Sequence, residues 1–196
     1  MEFVDFRFPA QGFSSPLVLW DACHQRAQRV ALLLQRLFSH LQAHGPSDAT
    51  RVTASEVGRY FDEAGPRHHH DEDLDLFPRL RRSLDRQPAL LAGRTAEQTV
   101  AALERLDSDH ARLDDLWQQV RVALRHVAHE APTPAHCACA EAFVDGFITH
   151  HAVEDELIAP VAAALLQPAD LAAIGSAMAA RRGTTWAVLA AGNGGR

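Results

Sequence analysis

Two stretches of this sequence decide the fold: RHHHDEDLDLFPRL at residues 67–80 and THHAVEDELIAPVA at residues 149–162. Aligned from the paired histidines, they share five identities over eleven positions: His-His, then Glu-Asp, then Pro. Each stretch has a glutamate four residues after its first histidine. Residues four apart lie on one face of an α-helix, about 6 Å apart along its axis. The sequence therefore predicts two similar helices, each presenting an imidazole and a carboxylate to one side.

The rest of the chain is also typical of helices, because it is rich in Ala, Leu, Arg, Glu and Gln. Apolar residues recur at spacings of three and four along four segments separated by Gly and Pro. The predicted helices run from about Ser15–Pro16 to His44, from about Thr53–Ala54 to Leu84, from Thr95 to about His129, and from about Pro134 to Leu166.

Two local features refine this prediction. Pro66 lies inside the second helix and is expected to kink or divide it, and Thr95 with Gln98 is expected to cap the third. A short fifth helix is expected from Pro168 to Ala180. We predict an all-α fold, an antiparallel up-down four-helix bundle over residues 16–166 with a short extra C-terminal helix. An N-terminal arm (1–15) precedes the bundle, and the short helix and a tail (167–196) follow it.

Composition excludes several classes of protein. The net charge of −6 and the lack of a basic stripe exclude nucleic acid as a partner. No apolar run approaches about 18 residues, so we expect no membrane span. Three cysteines and no signal-peptide core fit a cytoplasmic protein. The apolar segment 184–191 could cover an edge of the core or mediate a homodimer.

Polar residues interrupt the apolar stripe once in each helix. They are His24, His68 with Glu72, His110, and His150 with Glu154. The midpoints between successive positions fall at residues 46, 91 and 130, within or beside the three predicted turns. Antiparallel neighbours joined at those turns place these side chains at one height, to within about one helical turn of 5.4 Å.

Four imidazoles and two carboxylates in an apolar core are costly unless they are paired or bind a cation. This mixed donor set without thiolate suits iron, then manganese or zinc. Six donors fit a dinuclear site in which the carboxylates bridge and the imidazoles are terminal ligands. The alternative is a buried His–Glu hydrogen-bond network that fixes the register of the helices.

With these motifs, the chain resembles the hemerythrin-like, HHE cation-binding family over roughly residues 15–166. The resemblance implies a bundle that holds two iron ions in an oxo- or hydroxo-bridged centre. The implied terminal ligands are His24, His68, His110 and His150, and the implied bridging carboxylates are Glu72 and Glu154.

Hemerythrins have a further histidine one turn away on the third helix, where this chain has Leu106 and Asp114. We therefore expect His69 as the fifth histidine ligand, with His151 as the alternative. Residues near the motifs are interpreted as structural. We expect a solvated face at His70, Asp71, Asp73 and Asp75, core packing at Tyr60, a partner or solvent role for Asp114, and ordinary thiols at Cys23, Cys137 and Cys139.

These expectations favour a di-iron protein that binds dioxygen or a related small oxidant in a dry pocket formed by Leu76, Leu113 and Phe147. The same ligands would serve an oxidase, a peroxidase or a nitric-oxide-handling enzyme. They would also serve an iron or oxygen sensor that acts through a partner. No further acid or base is placed in the pocket, which disfavours hydrolysis.

Overall fold

A computed structural model describes residues 10–86 and 96–183, and these ranges contain helices and no strand. The elements are a 3-10 turn (Ala10–Ser14), α1 (Pro16–His44), α2 (Asp48–Asp71), α3 (Phe77–Arg86), α4 (Ala96–Val127), α5 (Pro134–Val153), α6 (Ala159–Leu165) and α7 (Pro168–Arg181). A π-helical turn, Glu72–Leu76, joins α2 to α3, and a second, Glu154–Ile158, joins α5 to α6.

Four long helical segments, which we call rods, form the predicted bundle. They are α1, α2 with α3, α4, and α5 with α6. Helix α1 packs against α2 and α5, and α4 packs against α2 and α5, so the rods close into a ring. We call α1, α2 and α3 the first half and α4, α5 and α6 the second half. The predicted all-α bundle with a short C-terminal helix is confirmed.

Two apolar clusters fill the bundle, one on each side of a polar layer. One includes Leu34, Phe61 and Phe143, and the other includes Phe77 and Leu103. Along α1, α2–α3, α4 and α5–α6, the buried histidines and glutamates fall between these clusters. Packing the apolar residues on both sides therefore fixes the height of the polar layer.

The predicted start of the second helix is wrong. Helix α2 begins at Asp48 rather than at Thr53–Ala54, because Ser47 and Thr50 cap it: the Ser47 hydroxyl accepts from the Thr50 amide at 3.2 Å, and Thr50 Oγ1 accepts from the Ser47 amide at 2.8 Å. Of the two outcomes expected at Pro66, a kink or a division of the helix, the division does not occur, because α2 continues through Pro66 to Asp71. The interruption comes later, at the π-turn.

Helix α7 packs against α1, α2 and the first π-turn. A Cβ atom at Gly175 would lie 2.0 Å from the carbonyl oxygen of Phe13, so glycine is required where α7 crosses the 3-10 turn. The expected cap of the third helix involves Thr95 and lies outside the described residues, as does the segment 184–191. None of the helices in the described ranges combines the length and apolarity needed to cross a membrane.

Candidate metal centre

The polar layer brings together six histidines and two glutamates. Every one of them is at most 7% exposed. They are His24 from α1, His68 and His69 from α2, His110 from α4, His150 and His151 from α5, and Glu72 and Glu154 from the first residues of the two π-turns. All seven residues predicted as ligands are present, and the structure adds His151, the alternative to His69.

The imidazoles divide into two trios. We call His24, His68 and His151 the first trio, and His110, His69 and His150 the second. Within the first trio, the rings of His24 and His151 stack with their centroids 4.3 Å apart. Within the second, the rings of His110 and His69 stack at 4.2 Å. Each motif therefore contributes one histidine of its pair to each trio.

The two glutamates lie between the trios. Glu72 reaches the first trio through Oε1, which is 3.1 Å from His68 Nε2, and the second through Oε2, which is 3.4 Å from His110 Nε2. Glu154 Oε2 lies 3.4 Å from both His24 Nε2 and His150 Nε2. Each carboxylate thus contacts both trios, which is the placement that a bridging ligand requires.

Two aspartates orient one imidazole in each trio. The Nδ1 atom of His24 lies 2.6 Å from Asp155 Oδ1, and that of His110 lies 2.8 Å from Asp73 Oδ1. These bonds direct each Nε2 atom towards the glutamates. Metal-binding histidines are commonly held by such a carboxylate on the other ring nitrogen. Both aspartates are identities of the repeat, and that was the sequence signal for them.

The expectation of a solvated face at residues 70–75 is therefore wrong for three of its four residues. Asp73 binds His110, and Asp71 and Asp75 are buried. Arg181 and Arg182 neutralise Asp71, each at 2.7 Å, and Arg181 also contacts Asp75. His70 is exposed, as expected.

Many polar atoms of this layer are buried and accept or donate no hydrogen bond. They include His24 Nε2, His69 Nε2, both ring nitrogens of His68 and His151, Glu72 Oε2 and both carboxylate oxygens of Glu154. Buried polar atoms nearly always have partners, and an unsatisfied one costs about 1–3 kcal/mol. A hydrogen-bond network that only fixes the register of the helices would provide partners for these atoms within the layer. These atoms have none. Converging imidazole and carboxylate donors of this kind fit a pair of cations.

The π-turns are the feature of the site that the sequence analysis missed. Each begins at a motif glutamate and ends two residues before the shared proline, Pro78 in the first turn and Pro160 in the second. Proline has no N–H group, so it leaves a carbonyl of the preceding turn without its usual α-helical donor. Single π-turns occur frequently at functional sites. The repeated proline is the only sequence signal for them.

Comparison with known proteins agrees with this geometry. The family model described as "Hemerythrin HHE cation binding domain" matches residues 15–162. The chain belongs to this family. An uncharacterized protein of Haemophilus influenzae is 28% identical to it over 170 residues, which span 87% of this chain and 91% of that protein. As an HHE cation-binding domain, the chain has buried His/Glu clusters suitable for a metal site.

Within the HHE layer, the two aspartate-bound histidines differ electrostatically from the others. Burial disfavours the imidazolium of His24, but the hydrogen bond to Asp155 and the nearby carboxylates of Glu72 and Glu154 outweigh burial and raise its pKa to about 10. The pKa of His110 is likewise raised to about 10, because Asp73 and Glu72 outweigh the effect of burial. Burial lowers the pKa of His69 and of His150 to about 4.

The two glutamates of the HHE layer shift in opposite directions. Burial disfavours the charge of Glu72, but His68, His110 and His24 hold the pKa of this carboxyl well below its usual range. Burial and the neighbouring charge of Glu72 raise the pKa of Glu154 well above its usual range. Without a cation, the layer accommodates one carboxylate charge more readily than two. A bound cation would supply the missing positive charge.

The surroundings of the HHE layer are not symmetric. Trp20 Nε1 donates to Glu72 Oε1 at 2.5 Å, whereas the equivalent position in the second half, four residues before His110, is Leu106. The arginine contacts to Asp71 and Asp75 also belong to the first half alone, because the equivalent residues of the second motif are Val153 and Leu157.

The remaining predicted neighbours of the HHE layer lie outside the donor clusters. Tyr60 and Cys23 are buried beside the layer. Asp114 is exposed, and its Oδ1 atom lies 3.9 Å from His69 Nδ1. Cys137 and Cys139 are half-buried free thiols, and neither belongs to a metal-binding cluster in the part of the chain that the structure describes.

Proposed function

We propose that this protein is a non-haem di-iron protein that binds dioxygen or a related small oxidant. The observation that carries the proposal is the pair of imidazole trios joined by two carboxylates that each contact both. Imidazole and carboxylate donors without thiolate suit iron. Two trios with shared carboxylates suit two ions rather than one.

The donor sets divide naturally between two ions. One ion would be held by His24, His68 and His151, the other by His110, His69 and His150, and both by Glu72 and Glu154. When bound, an iron pair supplies electrons for binding or reducing a small oxidant. The chain's own contribution is to position these donors, to orient His24 and His110 through Asp155 and Asp73, and to keep bulk water out.

An apolar cavity of about 20 Å³ adjoins His69 and favours a small uncharged ligand. Its walls include the side chains of Phe61, Leu113, Phe143 and Phe147. This volume is close to the minimum for one water-sized molecule, and the apolar walls offer few partners to water. Two of the residues expected to form a dry pocket line it, whereas Leu76 packs in the other apolar cluster.

Metal analysis with an optical spectrum tests the proposal. The protein is purified without oxygen, loaded with ferrous iron, desalted and then exposed to air. We expect about two irons per chain and the near-ultraviolet charge-transfer bands of a bridged di-iron centre. No retained iron would contradict the proposal, and two irons without these bands would contradict a bridged pair.

Oxygen uptake separates the binding protein from an enzyme with the same ligands. A binding protein takes up about one dioxygen per iron pair and releases it when the oxygen pressure is lowered. Continued consumption of dioxygen, peroxide or nitric oxide in the presence of a reductant would instead show an oxidase, a peroxidase or a nitric-oxide-handling enzyme.

A further inference from the structure

A second, larger cavity lies between α1 and α2, against the first trio. Its volume is about 290 Å³. Buried His68 and Cys23 lie at its inner side, and exposed Arg59 and Arg67 lie at its outer side. This volume lies just below the usual range of small-molecule sites, which begins at about 300 Å³, so the cavity is restricted to a small ligand.

The lining of this cavity is positively charged, although the chain as a whole is negative. Four arginines and one glutamate line it: Arg26, Arg59, Arg67, Arg182 and Glu63. Arg182 is paired with Asp71 and Arg67 lies 4.0 Å from Glu63, so Arg26 and Arg59 provide the excess of positive charge. The chain has a net charge of −6, so this local excess of positive charge is not a general property of its surface. Guanidinium groups bind carboxylates through paired hydrogen bonds. The lining therefore favours an anion.

The body of the cavity is apolar. Ala27 and Ala64 form part of the wall together with the rings of Tyr60 and Phe147. The small side chains of the two alanines, and the absence of a side chain at Gly65, leave the space open. An inorganic anion would leave this apolar surface uncovered, whereas an anion with an apolar body would cover it and gain the hydrophobic contribution.

The second half of the bundle has larger side chains at two of the equivalent positions. Leu113 stands three residues after His110, as Ala27 stands three after His24, and its side chain is buried. Phe147 stands three residues before His150, as Gly65 stands three before His68, and it is also buried. The ligand pattern is thus repeated, whereas the residues at these two neighbouring positions are smaller in the first half.

The charge of the equivalent positions also changes. Nine residues before the first motif histidine, the first half has Arg59 and the second half has Glu141. One residue before it, the first half has Arg67 and the second half has Thr149. Both size and charge therefore distinguish this cavity from its symmetric counterpart, although the metal-binding motifs themselves are alike.

We propose that this cavity binds a small organic carboxylate, with its carboxylate on the arginines and its apolar body against Ala27, Ala64 and Phe147. The ligand would lie beside His68, next to the metal centre. The proposal goes beyond the di-iron function, because the cavity's own side chains provide the binding contacts and no metal ion takes part in them.

Calorimetric titration of the full chain as purified tests this proposal with three probes. Octanoate carries both the charge and the apolar body, octanamide has the body without the charge, and inorganic phosphate has the charge without the body. We expect octanoate to bind at one site per chain, and at least tenfold more tightly than either of the others, because a hydrogen bond to a charged group is worth about tenfold or more. Absence of octanoate binding, or equal binding of all three probes, would overturn the proposal.

Two single substitutions introduce into the first half the residue types found at the equivalent positions of the second half. A27L reduces the cavity by introducing the leucine found at the equivalent position, Leu113, and R59E introduces the charge of Glu141. Each should weaken octanoate binding at least tenfold while leaving the bound metal unchanged. R125E reverses the charge of an exposed arginine outside the lining and should leave binding unchanged. Unaltered binding in both A27L and R59E, or an equal loss in R125E, would place octanoate elsewhere and refute the site.

Discussion

The two halves of the bundle carry the same ligands in different surroundings. His68, His69 and Glu72 of the first half correspond to His150, His151 and Glu154 of the second. Around the first set lie an indole donor, an arginine contact from α7 and an open cavity. At the equivalent positions around the second set stand the apolar residues Leu106, Val153 and Leu113. The comparison teaches that the His/Glu donor set is repeated in the two halves, whereas the indole and arginine contacts around it belong to the first half.

Replacing either glutamate should have the largest effect. E72A and E154A each remove a carboxylate that contacts both trios, so each should reduce bound iron from about two per chain to less than one. The melting temperature should also fall, because metal binding contributes to folding stability. Metal analysis and thermal unfolding measure the two effects. E63A, at an exposed glutamate, is the control; two irons retained in either site variant would contradict a shared carboxylate.

Replacing the aspartates that hold His24 and His110 tests whether the two trios contribute equally to metal affinity. D155N and D73N should each weaken metal affinity about 10–100-fold, since partners of ligating histidines have effects of this size. Competition with a coloured chelator gives the affinities, and D115N, at an exposed aspartate, should change nothing. A loss in one variant alone would show that the two trios do not act as equivalent halves.

The arginine contacts to Asp71, which only the first half has, should contribute to the stability of the protein. R182Q removes one of the two arginines that neutralise buried Asp71, so we expect a loss of about 1–3 kcal/mol in the free energy of unfolding. Urea unfolding of the metal-loaded protein measures it, with R86Q at an exposed arginine as the control. A stability equal to that of the parent chain would show that α7 is not anchored through this contact.

The smallest effect is expected from Trp20. W20F keeps the aromatic ring and removes the hydrogen bond to Glu72, so metal affinity should fall roughly threefold to tenfold, the equivalent of about 0.5–1.5 kcal/mol. The matched control is W117F, because Trp117 donates to Asp62 away from the metal centre. If both variants bind metal equally well, the hydrogen bond from Trp20 to Glu72 does not contribute to metal affinity.

The bundle and most of the donor set followed from sequence, because both depend on spacing along single helices. Apolar periodicity predicted the rods, and turn midpoints predicted that His24, His68, His110 and His150 share one level. The cap at Ser47 and Thr50 was missed, because Thr53–Ala54 offered an equally plausible start.

The contacts between helices could not be predicted in this way. The bond from His24 to Asp155 joins residues 131 positions apart, and it depends on how α1 and the second π-turn are rotated about their axes. Spacing along one helix does not fix that rotation. The same reason explains why Asp71 and Asp75 were assigned to a solvated face: α7, which supplies their arginines, was expected only as a short extra helix.

Anomalous diffraction at the iron absorption edge, from crystals of the iron-loaded protein, tests the central claim most directly. We predict two peaks in the polar layer, one beside the trio of His24, His68 and His151 and one beside the trio of His110, His69 and His150. Glu72 and Glu154 should contact both. A single peak, or peaks that leave either trio without iron, would contradict a dinuclear centre.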